Sequence, residues 1–387
     1  MARLALDDLV VVGIEQALAA PLATRQLADL GARVIKVEHP DGGDFARGYD
    51  TAVGGVSSAF VWLNRGKESV QLDLKTKAGL AALHALLGHA DVLVANLSPR
   101  VLGELGLTAS ELTTRHPRLV VCTISGYDPA GSWAERKAYD ALIQAETGLM
   151  ALTGTAEAPA KTGISVADIA AGSVAFAGVL SAIRHRDRTG ESLPVHVSLF
   201  GALAEWMAYP LYYTAYGGTA PVPMGTAHPT IAPYGAVCCA DGERLMVAVQ
   251  NEREWQRLCA EVLETPTLLA DPRFSSNAQR VANRKQLDEQ LMVAFGRYAA
   301  AVVVARLDAA RIAWSRLNGV SDLAEHPELA LPARWLATRT PAGTVRTLAP
   351  VGTPGERYAK SGAVPALGEH TERVLAELTE TTTTERP

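Results

Sequence analysis

Short apolar runs alternate with longer stretches of helical hydrophobic period over roughly the first half of the chain. The clearest helical stretches lie at residues 19–31 and 77–89. Six short runs have the Val, Ile and Leu content that is typical of buried strands, and they lie at residues 9–13, 32–38, 69–74, 91–95, 117–124 and 195–199. Strands that alternate with helices in this way predict an α/β fold with a parallel, doubly wound sheet.

One stretch, residues 164–187, is dense in small and apolar residues and predicts a buried helix that begins at Ile169. Asp168 stands at that start, where an Asp is most simply a helix N-cap. The position also suits a nucleophile, because a carboxylate at a helix N-terminus is held ionised beside N–H groups that can stabilise an oxyanion. An ordinary Asp pKa of roughly 3.9 would need no tuning for this role. Both interpretations remain open on the sequence alone.

The pattern changes at residues 217–225, a loop without periodicity that predicts a domain boundary. Two domains also suit a length of 387 residues. An apolar helix before the boundary, residues 201–216, carries an aromatic group for which core packing is favoured over a binding stripe: Trp206, Tyr209, Tyr212 and Tyr213. Beyond the boundary we predict hairpins at residues 235–250 and 334–348, helices at 252–263, 284–307 and 368–378, and disorder at 381–387.

The composition excludes several classes of protein. A formal net charge of -5 provides no basic surface for nucleic acid. Asp7 and Asp8 interrupt what would be the apolar region of a signal peptide, and no apolar run reaches the roughly 18 residues of a membrane span. Reduced thiols are indicated because no C-x-x-C spacing occurs among the four cysteines, Cys122, Cys238, Cys239 and Cys259. We therefore expect a cytoplasmic protein with neither nucleic-acid nor membrane partners.

The first strand–helix–strand unit is Rossmann-like in topology but not in its ligand-binding motif. Glu38 ends the second strand, where a dinucleotide fold places its ribose-binding acid. The turn after the first strand, residues 13–20, nevertheless lacks the G-x-G-x-x-G sequence that cradles a pyrophosphate. A nicotinamide-dependent dehydrogenase is therefore disfavoured.

Residues 10–378 closely resemble the family III CoA-transferases, the group that includes formyl-CoA and carnitine CoA-transferases and a 2-methylacyl-CoA racemase branch. The resemblance rests on many ordered motifs, among them Gly31-Ala-Arg-Val-Ile-Lys-Val-Glu38, Asn64-Arg-Gly-Lys67, Ala167-Asp168 and His228-Pro-Thr-Ile-Ala-Pro-Tyr234, with further matches at residues 19–21, 72–75, 188–191, 326–329 and 367–371. It implies that Asp168 is a nucleophile that forms an anhydride with the donor acyl group and then an aspartyl-CoA thioester. No metal or tightly bound cofactor is implied, since the CoA thioester is itself a substrate.

The resemblance also implies positions that contact CoA. Ala19, Leu72, Lys75 and Lys137 match such positions, and for the two lysines a solvated surface position is the alternative to a phosphate contact. His39, Arg100 and Tyr139 complete the expected set of CoA-binding positions. Two positions depart from the family pattern. His39 stands where transferases often carry an arginine, and Glu104 replaces a second arginine, with Arg100 one turn earlier.

Tyr139 decides between the two branches of the family. Racemases place a His there for proton transfer, whereas a Tyr, with a reference pKa near 10, is a poor two-way proton shuttle. We therefore favour CoA transfer. A 2-methylacyl-CoA racemase and a non-catalytic acyl-CoA-binding protein remain as alternatives.

Substrate class and assembly follow only from the resemblance. The segments at residues 139–146 and 228–234 look more like members that handle C4–C5 dicarboxylates such as succinyl, mesaconyl or itaconyl groups, and a distal carboxylate could be received by Arg25, Arg47, Arg136 or His228. The family implies a large Rossmann-like CoA-binding domain (1–218 and 325–387), a linker (219–224) and a small α+β domain (225–324). It also implies an interlocked homodimer of ring-shaped chains.

Overall fold

The computed structural model describes residues 3–359 and 362–384. The chain divides into two units. The first comprises Met1–Leu149, Lys161–Tyr212 and Ala330–Pro387, and the second comprises Met150–Ala160 and Tyr213–Leu329. The ranges expected for the linker and the small domain both lie within the second unit, while the functional roles of the domains stay predictions.

A six-stranded parallel sheet forms the centre of the first unit. Its spatial order is β3-β2-β1-β4-β5-β6, with bounds β1 Val10–Ile14, β2 Arg33–Glu38, β3 Lys67–Gln71, β4 Val92–Ala95, β5 Val120–Ser125 and β6 Val195–Ser198. Every neighbouring pair is parallel, and the central strand β1 places Val12 opposite both Ile35 and Leu93. The predicted α/β fold with a parallel sheet is therefore confirmed, in the strand order of doubly wound nucleotide-binding folds.

Helices cover both faces of this sheet. Their bounds, taken in chain order, are α1 Ala19–Asp29, α2 Ser58–Asn64, α3 Lys77–Gly88, α4 Pro99–Glu104, α5 Ala109–Arg115, α6 Asp140–Glu146, α7 Val166–Thr189, α8 Leu199–Trp206 and α9 Ala208–Ala215. Alternate strand residues face opposite cores. Val11, for example, packs in the core formed with α1 and α7, whereas Val12 packs in the core formed with α3 and α5.

Helix α7 packs in the core of this unit, but it begins earlier than predicted. Its first residue is Val166 and its N-cap is Ser165, so Asp168 lies within the first turn and is not the N-cap. Helices α1 and α7 approach so closely that a Cβ added at Gly172 would lie 2.6 Å from the carbonyl oxygen of Ala19. A glycine is needed at that point.

No run of consecutive apolar residues reaches the length of a membrane span, but one helix has the overall length and composition of one. By length and composition alone, α7 could cross a membrane, with a mean hydropathy of 1.8. A count of consecutive apolar residues misses such a helix, because alanine, glycine and serine interrupt the large apolar residues without making it polar. In this structure the helix lies in a protein core, where Ala167, Ala171 and Val179 have no exposed surface.

The aromatic side chains of α8 and α9 are exposed in the single chain, so the predicted core packing is wrong. The exposed fractions are 52% for Trp206, 65% for Tyr209, 59% for Tyr212 and 48% for Tyr213. Exposed apolar surface on this scale commonly marks an interaction site.

The second unit contains a small antiparallel sheet surrounded by helices. The sheet order is β7-β8-β9, with bounds β7 Tyr234–Cys238, β8 Arg244–Ala248 and β9 Ala313–Arg316. The helices are α10 Glu252–Arg257, α11 Thr267–Ala270, α12 Asn277–Ala282, α13 Arg284–Phe295, α14 Ala300–Ala309 and α15 Val320–Ala324. The predicted hairpin is confirmed. A single helix over residues 284–307 is wrong, because the chain bends by 109° between α13 and α14, with Gly296 as the C-cap of the first and the extended Ala299 as the N-cap of the second.

The C-terminal segment returns to the first unit, where it forms the second predicted hairpin and a terminal helix. The hairpin pairs β10 Trp335–Thr340 with β11 Gly343–Leu348, and the helix is α16 Thr371–Thr384. Its residue Val374 packs in the core beside α3. Disorder was predicted from residue 381 onward, but the helix continues to Thr384 and the last three residues lie outside the described part of the chain.

Candidate active site

The predicted CoA-contacting residues follow the carboxyl ends of successive strands. The order is Leu72 and Lys75 after β3, His39 after β2, Ala19 after β1, Arg100 after β4, and Lys137 and Tyr139 after β5. Since the carboxyl ends of parallel strands meet at one edge, the fold brings these positions to the edge where α/β sheets bind their ligands. Their individual contacts with CoA stay predictions.

The surroundings of these side chains differ. Ala19 and Leu72 are buried, whereas Lys75 and Lys137 are exposed, and Lys137 lines a cavity of about 310 Å³ together with Tyr127 and Arg136. The exposed lysines leave both of their interpretations open.

Two of the predicted positions have local partners. The Arg100 guanidinium donates to Glu104 at 2.7 Å, so the residue that departs from the family pattern binds the arginine expected to substitute for it. His39 accepts a hydrogen bond from the Asp41 N–H at 3.0 Å, and its other ring nitrogen lies 3.9 Å from an Asp73 oxygen. His39 therefore faces the loop after β3, on the same side as Leu72.

A second carboxylate, Asp140, shares the N-terminus of α7 with Asp168. Asp140 is the first residue of α6, and its Oδ1 accepts from the backbone N–H of Ala167 at 2.8 Å and of Asp168 at 3.4 Å. Its Oδ2 accepts from the Gln144 side chain at 2.7 Å. Sequence reasoning missed this residue, although Asp140 and Asp168 both occupy helix starts, which is the available signal.

The N–H groups at the start of α7 were expected to stabilise an oxyanion, and that expectation is wrong. The remaining N–H groups of its first turn are also occupied, since Val166 donates to the carbonyl of Ile164 and Ile169 to that of Ser165. The first turn of α7 therefore has no spare donor for an oxyanion. The N-terminus of α1 lies close by, and within the described residues no side chain caps it.

The pKa of Asp168 is raised from 3.8 to about 7, because burial disfavours its charge and the Asp140 carboxylate adds like-charge repulsion. The expectation that this group needs no tuning is therefore wrong. Among the described residues, no hydrogen bond or ion pair engages its side chain. The ionised form of Asp168 is consequently poorly stabilised, and a perturbed pKa of this kind is often found in functional carboxyl groups.

Tyr49 is a further residue of the site that sequence reasoning missed. Burial raises its pKa, and the carboxylates of Asp44 and Asp168 and the phenol of Tyr139 raise it further. Tyr49 therefore lies within electrostatic range of Asp168 and Tyr139, although 57% of its surface is exposed. An exposed tyrosine in a loop without periodicity offers no sequence signal.

Beneath this edge lies a group of six largely buried ionic side chains that we term the buried charge cluster: Glu15, Lys36, Glu38, Asp44, Arg47 and Lys67. Three are acids and three are bases. Within this cluster Glu38, the expected equivalent of a ribose-binding acid, is already bound by other side chains. Arg47 donates to both Glu38 oxygens at 2.8 and 2.7 Å, and the Ser69 hydroxyl donates at 2.5 Å.

Residues 3–359 and 362–384 contain no group of three or more His, Cys, Asp or Glu side chains that could hold a metal ion. The four cysteines are all free thiols, and Cys238 alone among them is exposed.

The strand order is that of α/β proteins, which commonly bind their ligands at the carboxyl edge of the sheet. Residues 6–371 match the family described as CoA-transferase family III. The chain is 35% identical over 326 residues to an acetyl-CoA:oxalate CoA-transferase of Acetobacter aceti, covering 84% of this chain and 83% of that protein. It is 31% identical over 385 residues to a succinate–glutarate CoA-transferase of Agrobacterium fabrum, covering 96% and 95%.

The fold comparison agrees. A CaiB/BaiF family protein from Brucella suis superposes with a TM-score of 0.86 at 32% identity, covering 97% of this chain and 100% of that one. The chain belongs to CoA-transferase family III, and the resemblance drawn from its motifs is confirmed.

The raised pKa of Asp168 predicts a pH-dependent gain in stability when the charge is removed. Ionised Asp168 destabilises the native state, so the cost is absent near pH 4, where the group is neutral in the fold, and complete above about pH 7. We expect Asp168→Asn to raise the free energy of unfolding by on the order of 1–4 kcal/mol at pH 8, and by little at pH 4. Urea denaturation at both pH values measures this. Equal gains at the two pH values, or a similar pattern in the control Asp8→Asn, whose carboxylate is exposed, would contradict it.

Proposed function

We propose that the protein transfers CoA from an acyl-CoA donor to a dicarboxylic acid, with Asp168 as the covalent nucleophile. The observation that carries the proposal is the state of this carboxylate. It is partly buried, has no hydrogen-bonding partner in the described chain, and lies beside a second carboxylate at the carboxyl edge of the sheet. A carboxylate in these surroundings is poorly stabilised as an anion, which favours its reaction with an electrophile.

The proposed reaction has two symmetrical halves. The Asp168 carboxylate attacks the thioester carbonyl of the donor, the C–S bond breaks, and the CoA thiolate leaves an aspartyl-acyl anhydride. The thiolate then attacks the aspartyl carbonyl, which releases the donor acid and leaves an aspartyl-CoA thioester. The acceptor carboxylate displaces the thiolate to form a second anhydride, and thiolate attack on its acyl carbonyl releases the new acyl-CoA and regenerates Asp168.

Asp140 helps to drive the first step. Every covalent intermediate converts the charged Asp168 into a neutral acyl derivative, which removes the repulsion between the two carboxylates. The free energy that Asp140 adds to the charged ground state is therefore recovered as the anhydride forms. The steps use only the carboxylate and the thioester, so no metal or tightly bound cofactor enters the proposal.

Dicarboxylates are proposed as substrates because the relatives named above act on oxalate, succinate and glutarate. Of the four groups considered for a distal carboxylate, two are already bound within the protein. Arg25 donates to Asp29 and Arg47 to Glu38, each at 2.7 Å. Arg136 pairs with Glu146 at 2.7 Å but keeps an exposed side chain, and His228 belongs to the second unit. Arg136 is thus the better candidate in the first unit.

The two alternatives are less well supported. Racemisation lacks its histidine, because Tyr139 occupies the N-cap of α6 and tyrosine is a poor proton shuttle at neutral pH. A purely binding role gives no account of an unpaired carboxylate with a raised pKa.

Asp168→Asn should abolish CoA transfer. The amide is nearly isosteric and cannot form the anhydride, so we expect kcat to fall by at least about three orders of magnitude. Succinyl-CoA is offered with a panel of dicarboxylic acids, and product masses are measured. Asp187→Asn, at the other end of α7, is the matched control and should keep the wild-type rate. A fully active Asp168→Asn variant would end the proposal, and a wild-type protein that binds CoA but transfers it to no acid would favour the binding role.

We further propose that the protein is an interlocked homodimer, as in the family. The exposed aromatic side chains of α8 and α9 support this, because a partner chain would cover them. Location in the cytoplasm stays a prediction from the composition.

An interlocked dimer separates only if a chain unfolds, so its dissociation is limited by an unfolding barrier. Sedimentation should give roughly twice the 40.9 kDa of one chain, unchanged on dilution to nanomolar concentration. Two differently tagged preparations should form no mixed dimer within hours in native buffer, but should do so after denaturation and refolding. Rapid exchange in native buffer, or a sedimenting monomer, would show that the assembly is wrong.

A further inference from the structure

The loop between β1 and α1 holds an unfavourable backbone conformation close to the candidate nucleophile. Ala17 has a φ of +61°, in the left-handed region that side chains other than glycine rarely adopt. Two residues later, the Ala19 carbonyl packs against Gly172, one helical turn after Asp168. Such a conformation persists only where surrounding contacts impose it.

Asp44 supplies one of these contacts. Its Oδ1 accepts from the Ala17 N–H at 2.8 Å and from the Ala46 N–H at 2.9 Å. One carboxylate oxygen therefore joins the β1–α1 loop to the short helical turn Phe45–Gly48. That turn leads directly to Tyr49, whose pKa is raised in part by the charge of Asp168.

Lys36 holds Asp44 in place. Its ammonium group lies 2.7 Å from Asp44 Oδ2 and 3.2 Å from Glu15 Oε1. All three side chains are fully buried. Burial alone would lower the pKa of Lys36, but the carboxylates of Glu15 and Asp44 outweigh it and raise the pKa. The Lys36 ammonium is therefore charged where it contacts Asp44.

The loop is also held from its other side. Asn96, which follows β4, accepts from the Gln16 N–H at 2.9 Å and donates to the Gln16 carbonyl at 2.8 Å. The Gln16 side chain accepts from the Phe45 N–H at 3.1 Å. The loop and the Phe45–Gly48 turn are thus built as one unit, in which Asp44 is the only ionic side chain that contacts both backbones among the described residues.

We propose that Asp44, held by Lys36, is a positioning residue for CoA transfer, because its carboxylate fixes the two backbone segments that flank Asp168. The inference rests on the proposed function. It assigns Asp44 no contact with substrate. It requires that losing the carboxylate oxygen displaces Ala17 and Tyr49, and small displacements around a reacting group can cost about 100-fold in rate.

Two double variants separate positioning from charge balance. Lys36→Met/Asp44→Ala and Lys36→Met/Asp44→Asn each remove one acid and one base, so neither leaves an unpaired buried charge. They differ in one respect: the Asn variant keeps a side-chain oxygen that can accept from Ala17 and Ala46. Arg65→Met is the stability control, since it breaks a buried ion pair with Asp29 at 2.5 Å that contacts neither segment.

The measurements are kcat/KM for CoA transfer, CoA affinity, and hydrogen exchange of peptides that contain Ala17 and Ala46, all at a temperature where every variant is folded. For the Ala variant we expect a loss of about 10–100-fold in kcat/KM, weaker CoA binding and faster exchange of both amides. The Asn variant should recover most of the lost kcat/KM. Arg65→Met should unfold at a lower temperature yet keep kcat/KM within about twofold of wild type.

Equal rates in the Ala and Asn variants, or unchanged exchange at Ala17 and Ala46 in the Ala variant, would overturn the positioning role. A wild-type protein that transfers no CoA would instead refute the proposed function. In that event CoA affinity and amide exchange still test the role of Asp44. The role is refuted if the Ala variant binds CoA as tightly as wild type and both amides stay protected.

Discussion

Asp140 and Asp168 meet at the N-terminus of one helix, and this competition shapes the candidate site. Asp140 accepts from the first free N–H groups of α7, so Asp140, and not Asp168, has the favourable interaction of an anion with the helix N-terminus. Asp168 keeps a charge that the fold does not stabilise, and its pKa rises to about 7. Each covalent intermediate of the proposed reaction relieves this repulsion.

An unstable charge of this kind must be held by structure that is stable elsewhere. Two features supply it in the first unit. Helix α7 packs against α1 at a glycine contact, which fixes Asp168 beside the N-terminus of α1. The buried charge cluster holds the loops after β1 and β2, where the backbone would otherwise be free to relax. Lys36 in β2 and Lys67 in β3 thus position these loops through ion pairs with the loop residues Glu15 and Asp44.

The sequence predicted the parts of the structure that depend on local pattern. Six strands, the early helices and both hairpins follow from hydrophobic period, and their alternation implies a parallel sheet whose carboxyl edge carries the site. Contacts between distant segments were not predictable in this way. Nothing local shows that Asp140 caps a helix that starts 26 residues later, or that Glu38 is bound by Arg47 and Ser69. The prediction of core packing for the aromatic residues of α8 and α9 was wrong for a related reason. The spacing of apolar residues indicates that a surface is buried, but not whether the same chain buries it.

The central claim is that the unpaired carboxylate of Asp168 becomes covalently bonded to CoA. The most direct measurement is a rapid acid quench of the wild-type protein with succinyl-CoA, followed by peptide mass analysis. The peptide containing Asp168 should gain the mass of CoA less one water, and hydroxylamine should remove the adduct. An adduct on any other residue, or turnover that proceeds with no covalent species on this peptide, would contradict it.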